Sequence, residues 1–223
     1  MVLFSCSALT DQSHETPFTG NPLSPLVPIP IDPPPDSNSN KPSETQYCFA
    51  DENGHFSEEA RVTQGDAGNY VWAEGGSCIF RPIRTAWAAT HNQPVMVWSG
   101  VDQSSYRLLG DPPSGVSHLY EVDYFVDEII DVLWTMNWYH SVRAGSRQKP
   151  QQILMNYVKV KGTRFISYWE GTILLHEVTP DITAITMRDQ IKASRTGPGD
   201  SADAIRQIIE AIRTGAPNWA PID

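Results

Sequence analysis

An α+β fold, in which a first strand is followed by one or two short helices, a run of antiparallel strands and a long C-terminal helix, follows from three features of this sequence. Ile153 to Ile191 reads as three or four strands in close succession. Ile130, Val132, Trp134, Met136 and Trp138 alternate with Asp131, Leu133, Thr135, Asn137 and Tyr139, the two-residue period of a strand. Ile205, Ile208, Ile209 and Ile212 then fall at i, i+3, i+4 and i+7, one face of a 3.6-residue period, and place a helix over Ser201–Thr214.

The domain opens with strand signals in Tyr70, Val71, Trp72 and in Cys78, Ile79, Phe80, with Gly75-Gly76 expected to break the run. Arg81-Pro82 starts a short helix, since proline is tolerated at the first helical position, and Ile83 and Trp87 share one side of it. Val95–Trp98 is a short apolar piece. Residues 99–117 contain three glycines and two prolines and read as a loop. Strands are predicted over Leu119–Val126, Ile129–Val142, Ile153–Val160, Phe165–Val178 (bent near Gly171) and Ile182–Ile191. Asp200 and Ser201 stand where an N-cap accepts unpaired amide hydrogens. Gly215, in a left-handed conformation, and Pro217 end the helix.

Ahead of all this lies a different kind of sequence. Half of the 18 prolines precede residue 43, and residues 1–44 are rich in Pro, Ser, Asn and Thr. Such a stretch buries too little apolar surface to offset its chain entropy, so 1–44 is expected to be a disordered tether and 45–223 a single domain. All seven tryptophans and all eight tyrosines lie in that domain. The net charge is −10, of which −4 belongs to the tether. No Lys/Arg run is present, which argues against nucleic acid and anionic lipid surfaces as partners. No apolar run approaches the ~20 residues of a membrane-spanning helix.

The order of strand, short helix, strand series and closing helix resembles the START/polyketide-cyclase-like superfamily with its helix-grip fold. Cys78-Ile79-Phe80-Arg81-Pro82-Ile83 leading to Trp87 is similar to that family's strand entering a proline-started helix with a tryptophan. The strand series 129–191 and helix 201–214 complete the resemblance, which covers roughly residues 70–215. It implies a curved antiparallel sheet wrapped around the long C-terminal helix, with a space between them that holds a lipid or another apolar small molecule. Some members catalyse cyclisation or dehydration there, so the fold does not decide between binder and enzyme.

Trp134, Met136, Trp138, Trp169, His176, Ile205 and Ile209 are the candidate lining residues, since aromatic and thioether side chains supply large adaptable contacts. Core packing against the Ile205–Ile212 face is the stronger reading of the Trp134, Met136, Trp138 stripe, and under a closing helix the two readings merge. Asn137 and Asn156 are weaker polar candidates. Glu170, beside Trp169, is a candidate general acid only if it faces the space, and glutamates are rarely buried unpaired. The six histidines show no metal-binding spacing, and there is no GxSxG, Walker or GxGxxG motif. No catalytic residue, metal or cofactor is assigned. Binding ranks above a protein-interaction module with a filled core, and that above a cyclase or dehydratase.

Leu3-Phe4-Ser5-Cys6 resembles the bacterial lipobox, whose cysteine is diacylated, although only five residues precede Cys6 and no positive n-region is among them. With the tether behind it, the resemblance implies lipid anchoring and a place in the bacterial cell envelope. In an exported protein Cys48 and Cys78 are expected to form a disulfide, worth roughly 3 kcal/mol or somewhat more for a loop of this size. The alternative is two unrelated buried thiols.

Overall fold

The computed structural model describes residues 47–91, 100–110, 112–127, 131–194 and 197–215. The expected tether with Cys6, the Val95–Trp98 piece, Ile129, Ile130 and Pro217 lie outside the described residues. Eight strands form one antiparallel sheet: β1 Arg61–Ala67, β2 Tyr70–Ile79, β3 Gln103–Leu108, β4 His118–Val126, β5 Val132–Gly145, β6 Pro150–Gly162, β7 Ile166–Thr179 and β8 Ile182–Ala193. Helix α1, Ile83–Ala89, follows β2, and α2, Pro198–Thr214, closes the domain. The spatial order is β1-β2-β8-β7-β6-β5-β4-β3, so β2, with β1 on its outer edge, pairs with the chain's last strand. This is the α+β helix-grip architecture that the strand series and the closing helix predicted.

One face of the sheet is apolar. Along β8, Ile185, Met187 and Ile191 are buried, and along β7 Ile173 and Leu175 are at 0 % exposure. They join Trp134, Met136 and Trp138 of β5 and Ile205, Ile208, Ile209 and Ile212 of α2 in one continuous cluster. Helix α2 packs against β2, β1 and β8, whereas α1 packs against β6, β7, β8 and α2. The four stacked isoleucines bury their stripe as their period demands.

Several expectations need correction. β2 runs unbroken through Gly75 and Gly76. Neither glycine breaks the strand; both allow close approach, because a Cβ on Gly76 would stand 2.2 Å from the Ile185 carbonyl oxygen and one on Gly75 2.7 Å from that of Arg61. The supposed loop 99–117 contains β3, and the polar stretch before Tyr70 contains β1. Helix α2 begins three residues earlier than predicted, with Gly197 at the N-cap and Pro198 at the first position. Asp200 is not the cap; from the first turn it accepts the Gly197 amide at 2.8 Å. Gly215 has φ −58°, so the helix ends without a left-handed residue.

Cys48 and Cys78 are joined by a disulfide, with Ala184 packed beside them on the opposite face of the sheet from α2. It pins the segment before β1 onto the C-terminal end of β2. Tyr47 reinforces the attachment, lying against Gly76 and donating to Glu74 at 3.1 Å.

Candidate functional site

The helix-facing side of the sheet is organised in rungs, because antiparallel register sets side chains of neighbouring strands directly opposite one another. One rung reads Tyr120 (β4), Trp138 (β5), Tyr157 (β6), Gly171 (β7), Asp189 (β8) and Ala73 (β2). Its rings touch in sequence: Tyr120 stacks on Trp138 with centroids 6.0 Å apart, and Trp138 meets Tyr157 at 4.5 Å. A second aromatic line runs from Tyr124 to Trp134 at 5.2 Å and from Trp134 to Trp169 at 5.9 Å.

Both lines end at Asp189. Its Oδ1 accepts the Tyr157 hydroxyl at 2.7 Å and the Trp169 indole N–H at 2.7 Å. Asp189 is 5 % exposed in a predominantly apolar wall. Burial raises its pKa, and hydrogen bonds from Tyr157 and Trp169 pull it partly back. In turn the Tyr157 hydroxyl is held well above its ordinary range, first by burial and then by the neighbouring carboxylate. The wall therefore carries one acidic anchor at the point where sheet and α2 meet.

The next rung over is polar at one end. His118 lies opposite His140, followed by Met155, Ile173, Met187 and Gly75. His91, just past α1, completes a cluster: its ring centroid is 4.6 Å from that of His118 and 4.6 Å from that of His140. Trp87 donates its indole N–H to His140 Nδ1 at 3.0 Å. His140 Nε2 meets the Tyr120 hydroxyl at 3.2 Å, and that hydroxyl donates to the Thr90 carbonyl at 3.3 Å. Burial, then His118, lowers the His91 pKa to about 4. His140 is driven well below its ordinary value by burial, His91 and His118. Among the described residues no group of three or more His, Cys, Asp or Glu side chains is placed to hold a metal ion, and no helix is long and apolar enough to cross a membrane.

Of the candidates read from sequence, Trp134, Met136, Trp138, Trp169, Ile205 and Ile209 all lie on this buried interface. His176 does not. It alternates with fully buried Leu175, opposite Ala184 of the disulfide cluster, and so faces away from α2. Glu170 falls on that same outer side, alternating with Trp169. Asn137 and Asn156 also lie there, and Asn137 donates to the Tyr139 hydroxyl at 3.3 Å. The sequence reading missed Asp189, although Ile185, Met187 and Ile191 at two-residue spacing put it on the apolar face. It also treated the histidines as scattered, where His91, His118 and His140 meet.

No family model matches the chain, and no curated protein matches its sequence. Solved structures do. The lipid transfer and protein localization domain of human StarD13 (DLC2) superposes with a TM-score of 0.51 at 9 % identity, over 71 % of this chain and 85 % of that one. A STAR-related lipid transfer protein from Xanthomonas axonopodis gives 0.49 at 12 % identity, over 70 % and 92 %. The Zhui aromatase/cyclase from Streptomyces sp. R1128 gives 0.39 at 11 % identity, over 69 % and 87 %. The fold is that of a START-like helix-grip domain.

Proposed function

We propose that this START-like domain binds an apolar small molecule or lipid between its sheet and α2, without catalysing its conversion, and that it does so in the bacterial cell envelope. The observation that carries the reading is the unbroken aromatic wall of Tyr120, Trp138, Tyr157, Tyr124, Trp134 and Trp169 ending on the single acidic anchor Asp189. Ring faces supply contact area with few rotors to freeze, and one interior acceptor orients a ligand that carries a donor. The shared fold with a domain described as lipid-transferring supports the same reading. Envelope location rests on the tether composition, the lipobox-like Cys6 and the Cys48–Cys78 disulfide.

A second reading has its own support. Met136, Ile173, Leu175, Ile209 and Ile212 are at 0 % exposure, as in a core filled by its own side chains. On that reading the domain is an interaction module.

Native mass spectrometry of the full chain, purified from the periplasm and compared with its denatured mass, separates the two. A bound species released on denaturation supports the binder and its mass narrows the ligand class. A lipid present at a hundred times its Kd should also stabilise the protein by about 2.7 kcal/mol. No bound species, and no rise in Tm with lipid extracts, would leave the filled core.

A further inference from the structure

The histidine cluster holds two ring nitrogens whose hydrogen-bonding needs are opposite and unmet. His91 Nδ1 lies 3.0 Å from the Trp87 carbonyl oxygen, which can only accept, so Nδ1 carries the proton and Nε2 presents a lone pair. His118 Nε2 lies 3.4 Å from the Arg147 guanidinium, which can only donate, so that nitrogen holds the lone pair and Nδ1 carries the proton. Burial and Arg147 lower the His118 pKa, which favours the neutral ring. His91 Nε2 and His118 Nδ1 are both shielded from solvent and have no partner among the described residues. The third ring is different: His140 has Trp87 at one nitrogen and Tyr120 at the other.

An acceptor and a donor side by side, each buried and unpaired, fit one group that both gives and takes a hydrogen bond. We propose that the His91–His118 pair is a recognition site for a ligand hydroxyl, which accepts the Nδ1–H of His118 and donates to Nε2 of His91. His118 is the ring able to make room. It is half-buried, and its contact with exposed Arg147 is long, whereas His91 is tied to the helix backbone. The pair also sits at the end of the ring line: Tyr120 lies 6.1 Å from His91, centroid to centroid, and stacks on Trp138. A hydroxyl held here directs an apolar tail along Tyr120, Trp138 and Tyr157. The ligand class is thus an apolar alcohol, and this inference rests on the binding reading above.

The test compares 1-decanol, decyl methyl ether and decane against the full chain, labelled with 15N-histidine. The alcohol donates and accepts, the ether only accepts, and the alkane does neither. Binding of the alcohol at least about tenfold tighter than the ether is expected, since a site built for a hydroxyl is left unpaired by an analogue lacking the proton. His91→Phe, which removes the acceptor that only the alcohol can use, should erase that preference, whereas His118→Phe removes the donor that both oxygens use and should weaken alcohol and ether alike. The 15N shift of His91 Nε2 should move upfield with decanol and stay put with the ether, a readout that does not depend on the variant folding. Equal affinities for alcohol and ether overturn the hydroxyl site while leaving the binding function standing. A scalar coupling between His118 Nδ1 and His91 Nε2 that persists with decanol bound also overturns it, because the rings then satisfy each other. If none of the three binds, the apolar-ligand reading and this inference fall together.

Discussion

Gly171 leaves the space across which Tyr157 reaches Asp189. The three residues sit side by side on β6, β7 and β8, and a Cβ on Gly171 would stand 2.2 Å from both Cζ and Oη of Tyr157. The phenol therefore lies flat over its neighbouring strand and donates to a carboxylate two strands away at 2.7 Å.

Gly171→Ala should cost at least about 2 kcal/mol, read as a lower urea midpoint at unchanged m-value. The added methyl also meets the Arg188 carbonyl oxygen at 2.5 Å, which is backbone and cannot step aside. Removing the ring as well, in Tyr157→Ala with Gly171→Ala, should relieve only part of the strain. Full additivity of the two losses would show that the ring and the glycine do not share this space.

Asp189→Asn and Asp189→Ala should diverge. Asparagine keeps an oxygen for Tyr157 and Trp169 and drops the buried charge. Alanine strands two buried donors and should lose roughly 2–4 kcal/mol. Because the folded-state pKa of Asp189 is raised, its ionisation opposes folding. That stabilising contribution is complete only below the unfolded carboxylate pKa and is lost as pH rises through the folded one. Urea titrations at pH 7 should find Asp189→Asn no less stable than wild type, its advantage shrinking as pH falls toward 4. A variant uniformly less stable at every pH would show that the charge itself is needed.

The histidine cluster predicts acid sensitivity with the opposite sign. A histidine whose folded pKa is depressed contributes stability that is intact above the unfolded value of 6.5 and is lost as pH falls toward the folded value, about 4 for His91. Each such imidazole adds a slope of about 1.4 kcal/mol per pH unit. Thermal unfolding from pH 7 to pH 4 should show a Tm that drops through this window. His91→Phe should flatten it, and an unchanged slope would place the acid sensitivity elsewhere.

Reduction of Cys48–Cys78, or Cys78→Ser, should cost about 3–4 kcal/mol, the loop-closure entropy for a sequence separation of 30. Comparing urea curves with and without reductant measures it directly. No change would mean that the packing of Tyr47 and Glu74 alone holds the segment in place.

Long apolar patterns were legible and polar edges were not. Ile205 to Ile212 and the Trp134, Met136, Trp138 stripe announce their elements because burial on one face imposes a period. β1 and β3 border solvent at the two edges of the sheet, and RVTQGDA and QSSYRL carry too few apolar residues to show one. Gly68-Asn69, between β1 and β2, was the available signal for a hairpin, with Gly68 at φ +65°. Asp189 was findable from the period of its strand. The histidine cluster was not, because His91, His118 and His140 are joined only by strand register and the placement of α1. Trp169 and His176 stand an odd number of residues apart on one strand, so the same two-residue period puts them on opposite faces, and His176 falls on the outer side of a strand correctly predicted.

The sulfur bridge between Cys48 and Cys78 defines a load path. Tension applied through the chain ahead of Tyr47 arrives at the bridge before it reaches β1, and passes into β2. That strand is bonded along both its edges, to β1 and to β8. Pulling it out requires shearing two ladders at once, whereas an edge strand could be peeled one bond at a time. The segment between the cysteines, including β1, stays slack. The domain is thereby gripped by an interior strand, and the mechanical weak point of the molecule is moved away from the end that is pulled.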